Sequence, residues 1–175
     1  MPAKRIDKDS VICLRPPTPA DGAAVHALIG RCPPLDTNSL YCNLLQCTHF
    51  GATSALAEAE GDVVGFVSGY SPPPHPDALF VWQVAVDERA RGHGLAKRLI
   101  MDILERPGNE HLRCIRTTVT AENTASWAMF HGLARKLGAP TGDHVLFDRD
   151  EHFGGEHDSE HELVIGPFEG PFETA

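Results

Sequence analysis

The chain has no apolar stretch near the ~20 residues that a membrane-spanning helix needs, and no apolar run follows its first charges. A membrane anchor and a secretory signal are therefore not expected, and the cytoplasm is the predicted setting. Cysteine is sparse: Cys13, Cys32, Cys42, Cys47 and Cys114 form no C-x-x-C pair. Their odd number and wide spacing argue against a disulfide framework and for reduced, packing thiols. Positive charge is in deficit, with 15 Lys and Arg against 24 Asp and Glu and a formal charge of −9. Nucleic acid is not an expected partner, because neutralised phosphates supply most of such affinity. A small cationic substrate suits the balance better. Two common phosphate-binding signatures, G-x-G-x-x-G and G-x-x-x-x-G-K-[ST], are also missing.

What remains is a chain of 175 residues, 42% hydrophobic, which is enough for one domain with one core. Residues 1–10 are polar and predicted to be disordered, residues 11–166 to form a single domain, and residues 167–175 to be a tail. The predicted order is β, α, α, β, β, β, α, β, α, β, β, a mixed α/β (α+β) sheet with helices on both faces and no repeats. Val11–Leu14 reads as the first strand. A helix opens at Thr18-Pro19-Ala20-Asp21 with Ala24, Leu28 and Ile29 inward, and Pro33-Pro34 breaks it. A second helix spans about 39–50, with Leu40, Leu44, Leu45 and Cys47 inward. Glu60-Gly61-Asp62 turns a hairpin between two strands.

The most informative stretch is 80–99. Phe80-Val81-Trp82-Gln83-Val84-Ala85-Val86 reads as a buried strand. Leu95, Leu99, Ile100, Ile103 and Leu104 then recur at helical spacing. Between them lies Arg89-Ala90-Arg91-Gly92-His93-Gly94. The glycines sit at a helix N-terminus, where backbone N–H groups lack partners and the dipole favours anions. Without Cβ atoms they admit a ligand to those groups, and Arg89 and Arg91 add positive charge. A phosphate-bearing ligand fits such a place, and an ordinary glycine turn is the bland alternative.

The R-x-x-G-x-G/A spacing resembles the acetyl-CoA pyrophosphate loop of the GCN5-related N-acetyltransferases (GNAT). A second segment agrees: Asn123-Thr124-Ala125-Ser126-Trp127-Ala128-Met129-Phe130, continuing to Leu137-Gly138, resembles that superfamily's N-x-x-[AS]-x-x-[LM]-[FY]…LG element. The resemblance implies the GNAT acyl-CoA N-acyltransferase fold, with a mostly antiparallel central sheet. It implies acetyl-CoA as cosubstrate, without a metal, held by Val84, Ala85, Val86, Arg89, Arg91, Gly92, His93, Gly94, Leu95, Ala96, Asn123, Ser126 and Phe130. Asn123 reads equally as a helix N-cap.

A narrower resemblance covers about 11–165. Pro34-Leu35-Asp36-Thr37-Asn38-Ser39-Leu40-Tyr41-Cys42-Asn43-Leu44-Leu45 is similar to the L-D-x-N-S-x-Y-x-x-L-L pattern of L-2,4-diaminobutyrate acetyltransferases, the acyl-transfer enzymes of ectoine biosynthesis and osmoprotection. The strand 80–86 and the segment Phe153–Glu160 look like the same family. The resemblance implies that Asp36, Asn38, Ser39, Tyr41, Trp82 and Glu160 bind a small diamino acid, and that the enzyme is a homodimer. Taken alone, Asn38 or Ser39 is a plain helix N-cap, Trp82 a core residue, and His157 and Glu160 part of a solvated acidic loop.

An alkyl ammonium has a pKa near 10, so only about one in a thousand is neutral at pH 7. A base must take its proton before it attacks a thioester, and Asp36, Glu160 and His157 are the candidates. In this superfamily the oxyanion is met by a backbone N–H, here around Val84. Many relatives carry Tyr at the position of Phe130 to protonate the leaving thiolate. Phe has no proton to give, which leaves Tyr41, another group, or unaided departure. The alternatives are a GNAT enzyme acting on another amine or a peptide N-terminus, and a non-catalytic acyl-CoA-binding module. His157-Asp158-Ser159-Glu160-His161 also spells the H-x-x-E-H zinc-peptidase motif, which needs a helix to aim both histidines one way.

Overall fold

The computed structural model describes residues 5–7 and 10–170. The hydrogen-bonded strand order is β1-β2-β3-β4-β5-β7-β6, the mixed sheet expected, with β4 parallel to β5 and β1–β2, β2–β3, β5–β7 and β6–β7 antiparallel. The strands are β1 (Cys13–Arg15), β2 (Ala55–Ala59), β3 (Asp62–Tyr70), β4 (Ala78–Val86), β5 (Cys114–Thr120), β6 (Thr141–Phe147) and β7 (Glu160–Ile165). The helices are α1 (Gly22–Gly30), α2 (Leu40–His49), α3 (Leu95–Leu104) and α4 (Thr124–Leu137). Two compact units divide the chain. The first takes the described residues up to Tyr70 together with Gln83–Asn109; the second takes Ser71–Trp82 and the described residues from Glu110 onward.

In the first unit Glu60 and Gly61 turn the β2–β3 hairpin with φ of 54° and 82°, the left-handed pair that matches strand twist. Helix α3 buries Leu95, Leu99, Ile100, Ile103 and Leu104, as its spacing predicts. It comes close to β3 at Gly65, where a Cβ would lie 2.9 Å from Leu95 and 3.1 Å from Leu99. That contact fixes where the N-terminus of α3 sits. Helix α1 turns Val25, Leu28 and Ile29 onto Leu56 and Phe66, whereas the expected Ala24 is exposed.

Helix α2 departs further from its apolar pattern. Leu40 is exposed, while Asn43 and Gln46 are buried. They are linked to each other and to α1, although Gln46 Nε2 is left without a hydrogen-bond partner. Asn43 Nδ2 donates to Gln46 Oε1 at 3.0 Å, and Asn43 Oδ1 lies 2.9 Å from His26 Nδ1. A hydrogen-bonded polar chain is stable where unpaired polar groups are not, so the helix rolls it inward. Near the N-terminus Ile6 is also buried, with its N–H donating to the Arg89 carbonyl at 3.0 Å. One apolar residue thus anchors a stretch that reads as polar; residues 1–4 and 8–9 lie outside the described residues.

The second unit pairs Ala78–Val81 of β4 with Cys114–Thr117 of β5. Ile115, Thr117 and Val119 face inward, and α4 buries Phe130, Leu133 and Ala134. Gly138 ends α4 at φ 61°, the left-handed C-cap that glycine favours. Strand β7 lies between β5 and β6, and β6 is the edge. Glu162 and Leu163 of β7 are both buried, whereas six of the seven β6 residues are exposed, as suits a polar edge strand. In the tail beyond β7, Phe168 is buried, its N–H donating to the Arg113 carbonyl at 2.9 Å. Phe172 lies outside the described residues.

Candidate active site

The first unit holds the glycine loop. After β4, Asp87 caps a single 3-10 turn by accepting from the Arg89 N–H at 3.0 Å. Burial works to raise the Asp87 carboxyl pKa, but the hydrogen bonds from Arg89 outweigh it and hold the group below its usual range. Arg89 differs from the sequence expectation. Its guanidinium is bound to Asp87 at 3.3 Å and to Asp62 at 3.2 Å, so its charge ties the loop to β3 instead of standing free. Arg91 is exposed and has no ion-pair partner among the described residues, so its charge faces solvent.

His93 turns inward, Nδ1 3.1 Å from the Ala90 carbonyl. Gly92 and Gly94 adopt φ of 88° and 62°, and a Cβ built on either meets no atom within 4 Å. No side chain caps α3 at Gly94. The first-turn N–H groups of Leu95 and Ala96 therefore have no capping oxygen among the described residues. A polyanion fits this end of the helix, and the residues present are chemically suited to a CoA pyrophosphate. Val84 and Val86 are partly exposed on β4, and Ala85 is buried.

The same unit carries the segment 35–41. Leu35 packs against the core cluster. Ser39 caps α2, its hydroxyl accepting from the Cys42 N–H at 3.1 Å, which decides between Asn38 and Ser39 as the cap. Asn38 Nδ2 instead donates to Gln83 Oε1 at 3.3 Å, and Gln83 Nε2 donates to the Asp36 carbonyl at 2.8 Å. The Asp36 side chain is exposed, without an ion-pair partner among the described residues. Tyr41 is 70% exposed, so its hydroxyl is open to solvent. Gln83 and Asp87 were not expected as site residues. The available signal was a polar side chain inside the apolar run of β4 and a carboxylate at its end.

The second unit carries the remaining candidates. Trp82 is 45% exposed on β4, so it is not the core residue that a central-strand Trp usually is. Asn123 caps α4, its Oδ1 accepting from the Ser126 N–H at 3.1 Å. Phe130 is buried. Glu160 opens β7 opposite Thr120. His157 stands in an exposed turn, its ring 4.7 Å from that of Phe153. The segment 157–161 is a turn running into β7 and contains no helix, so the H-x-x-E-H geometry fails; His161 faces Asp143 at 3.6 Å instead. Four of the five thiols are not poised as nucleophiles. Burial pushes Cys47 up to about 11 and raises Cys32, Cys42 and Cys114 as well.

The family profile described as acetyltransferase (GNAT) family matches residues 24–134. The chain belongs to that family. Within GNAT it is 53% identical over 158 residues to the L-2,4-diaminobutyric acid acetyltransferase of Methylotuvimicrobium alcaliphilum, covering 90% of this chain and 92% of the relative. It is 48% identical to the enzyme of the same name from Vibrio parahaemolyticus, covering 83% of this chain and 81% of that one. The solved diaminobutyrate acetyltransferase EctA from Paenibacillus lautus, in complex with L-2,4-diaminobutyric acid and coenzyme A, superposes with a TM-score of 0.86 at 36% identity. The match covers 94% of this chain and 99% of that structure. The ribosomal-protein-S18-alanine N-acetyltransferase of Escherichia coli shares the GNAT fold at TM-score 0.62 and 15% identity.

Proposed function

We propose that this GNAT protein transfers the acetyl group of acetyl-CoA to the 4-amino group of L-2,4-diaminobutyrate, the acyl-transfer step of ectoine biosynthesis and hence of osmoprotection. The observation that carries this reading is the Leu35–Tyr41 segment. It is held by Gln83, capped by Ser39 and presents the unpaired Asp36 carboxylate. Generic acetyltransferases have no reason to keep such a segment, and an exposed carboxylate matches a substrate ammonium.

Acetyl-CoA supplies the thioester carbonyl, its pyrophosphate resting on the N–H groups that follow Gly92 and Gly94. Asn123 and Ser126 begin the helix assigned by resemblance to the pantetheine arm. The amine must lose a proton before it attacks, and Asp36, Glu160 and His157 are the available bases. Tyr41 is the phenol with an exposed hydroxyl to serve the leaving thiolate, because Phe130 has none. A backbone N–H near Val84 meets the oxyanion, a service typically worth ~3 kcal/mol. Trp82, His157 and Glu160 enter the proposal through the family resemblance. Among the described residues no helix is long and apolar enough to cross a membrane, which agrees with a cytoplasmic place of work. A homodimer is part of the same proposal, with the exposed edge strand β6 and its Val145 and Phe147 available to a second copy.

The deciding experiment is acetyl-CoA turnover with 2,4-diaminobutyrate, other diamino acids, polyamines and peptides, followed by NMR of the product. Acetylation at the 4-nitrogen of diaminobutyrate supports the reading. Acetyl on the α-nitrogen, turnover of polyamines or peptides alone, or CoA binding without turnover overturns it.

A further inference from the structure

Gln83 is one of the few polar side chains buried in the first unit, 9% exposed in the middle of an otherwise apolar strand. A primary carboxamide there must find partners or destabilise the core. It finds both in one loop. Its Nε2 donates to the backbone carbonyl of Asp36 at 2.8 Å, and its Oε1 accepts from Asn38 Nδ2 at 3.3 Å. Leu35 packs on the core cluster at one end and Ser39 caps α2 at the other, while Asp36 and Thr37 between them are exposed. The carboxamide thus grips the residue that carries the free carboxylate and the residue two places on.

We propose that Gln83 is a positioning residue for substrate specificity: it sets where the Asp36 carboxylate stands and so sets the affinity for the substrate ammonium. It touches the loop and not the substrate, and it acts through Asp36. The inference rests on the proposed diaminobutyrate acetyltransferase activity. A leucine at this position would keep the volume and remove both hydrogen bonds. Glutamate would keep the acceptor for Asn38 and turn the donor that faces the Asp36 carbonyl into a second acceptor.

The test compares wild type, Gln83→Leu, Gln83→Glu, Asp36→Ala and the double variant Gln83→Leu/Asp36→Ala. KM is measured separately for diaminobutyrate and for acetyl-CoA. Losing two hydrogen bonds to an exposed loop should raise KM for diaminobutyrate about tenfold, with KM for acetyl-CoA within about twofold of wild type. Gln83→Glu should be at least as impaired as Gln83→Leu. In the Asp36→Ala background Gln83→Leu should add less than about twofold, because the group it positions has gone. A purely structural residue would raise both KM values together and add its full loss to Asp36→Ala, and that result overturns the proposal. So does an unchanged KM for diaminobutyrate in Gln83→Leu. If both Gln83 variants fail to fold, Asn38→Ala removes one arm of the grip from the loop side. It should raise the diaminobutyrate KM alone by about threefold, and no selective rise overturns the proposal. Should the wild-type protein not acetylate diaminobutyrate, the functional reading fails first, and the outcome is distinct from a failure of Gln83.

Discussion

Asp87 holds Arg89 three times, accepting from its backbone N–H at 3.0 Å and from its Nε and Nη2, each at 3.3 Å. The arginine that the motif offers as a cation for phosphate is thereby a structural member of the loop. Arg91, exposed two residues later, is the charge left over for a ligand. Arg89→Ala and Asp87→Ala should both weaken CoA binding by about tenfold through loss of loop order, with little change in how Kd responds to salt. Arg91→Ala should cost about three- to fivefold, and the loss should fade as ionic strength rises. Calorimetric titration of CoA at two salt concentrations separates the two classes.

The left-handed glycine at 94 makes a second prediction. A Cβ there meets nothing in the protein, so a side chain strains only the backbone, by roughly 1–2 kcal/mol, and lies over the α3 N–H groups. Gly94→Val should stay folded by circular dichroism and lose at least about tenfold in CoA affinity. Retained affinity would remove the pyrophosphate from this loop.

Charge removal at constant shape tests the substrate side. Asp36→Asn and Glu160→Gln should each lower kcat/KM for diaminobutyrate by about ten- to a hundredfold, the range for a hydrogen-bonded charged partner. CoA affinity should not change. Losses under twofold at either site would return that residue to a solvated loop.

The acid limb of stability has a clear contributor in Asp21. Hydrogen bonds from Arg15 hold the Asp21 carboxyl down to about 2 from an ordinary 3.8. A carboxyl lowered on folding stabilises above its unfolded value, and that stability is lost as pH falls through the folded value. Thermal melts should therefore fall between about pH 4 and pH 2, and Asp21→Asn should make that slope shallower. An unchanged slope would assign the acid sensitivity to other groups.

Assembly is tested at β6. Light scattering at micromolar concentration should give about twice 19.0 kDa, and Val145→Lys, in the exposed edge strand, should shift the protein towards monomer. Truncation after Ile165 is a poor test, because it would strip the buried Phe168 from its own unit.

The sequence made the strand–loop–helix of the cofactor site legible because periodicity, glycine placement and a short motif coincide there. The hairpin at Glu60-Gly61 was legible for the same reason: local chemistry alone fixes it. What escaped was set by tertiary contacts. Nothing local to Leu40 says that it faces out while Asn43 and Gln46 face in, since that depends on His26 in another helix. Nothing local to Arg89 reveals Asp62, 27 residues away. The place of β7 between β5 and β6 is likewise a long-range matter that no strand pattern carries.

The buried chain His26–Asn43–Gln46 has a consequence for the helix that carries Tyr41. Apolar helix surfaces tolerate small slides, because one methyl group replaces another at little cost. Hydrogen-bonding side chains do not, since a slide of one position leaves buried donors and acceptors empty. The α1–α2 pair is therefore indexed as well as packed: one alignment makes the His26–Asn43 and Asn43–Gln46 hydrogen bonds together. Tyr41 and the cap at Ser39 should thus be lost together, in one cooperative step, and should not drift out of place as the protein warms.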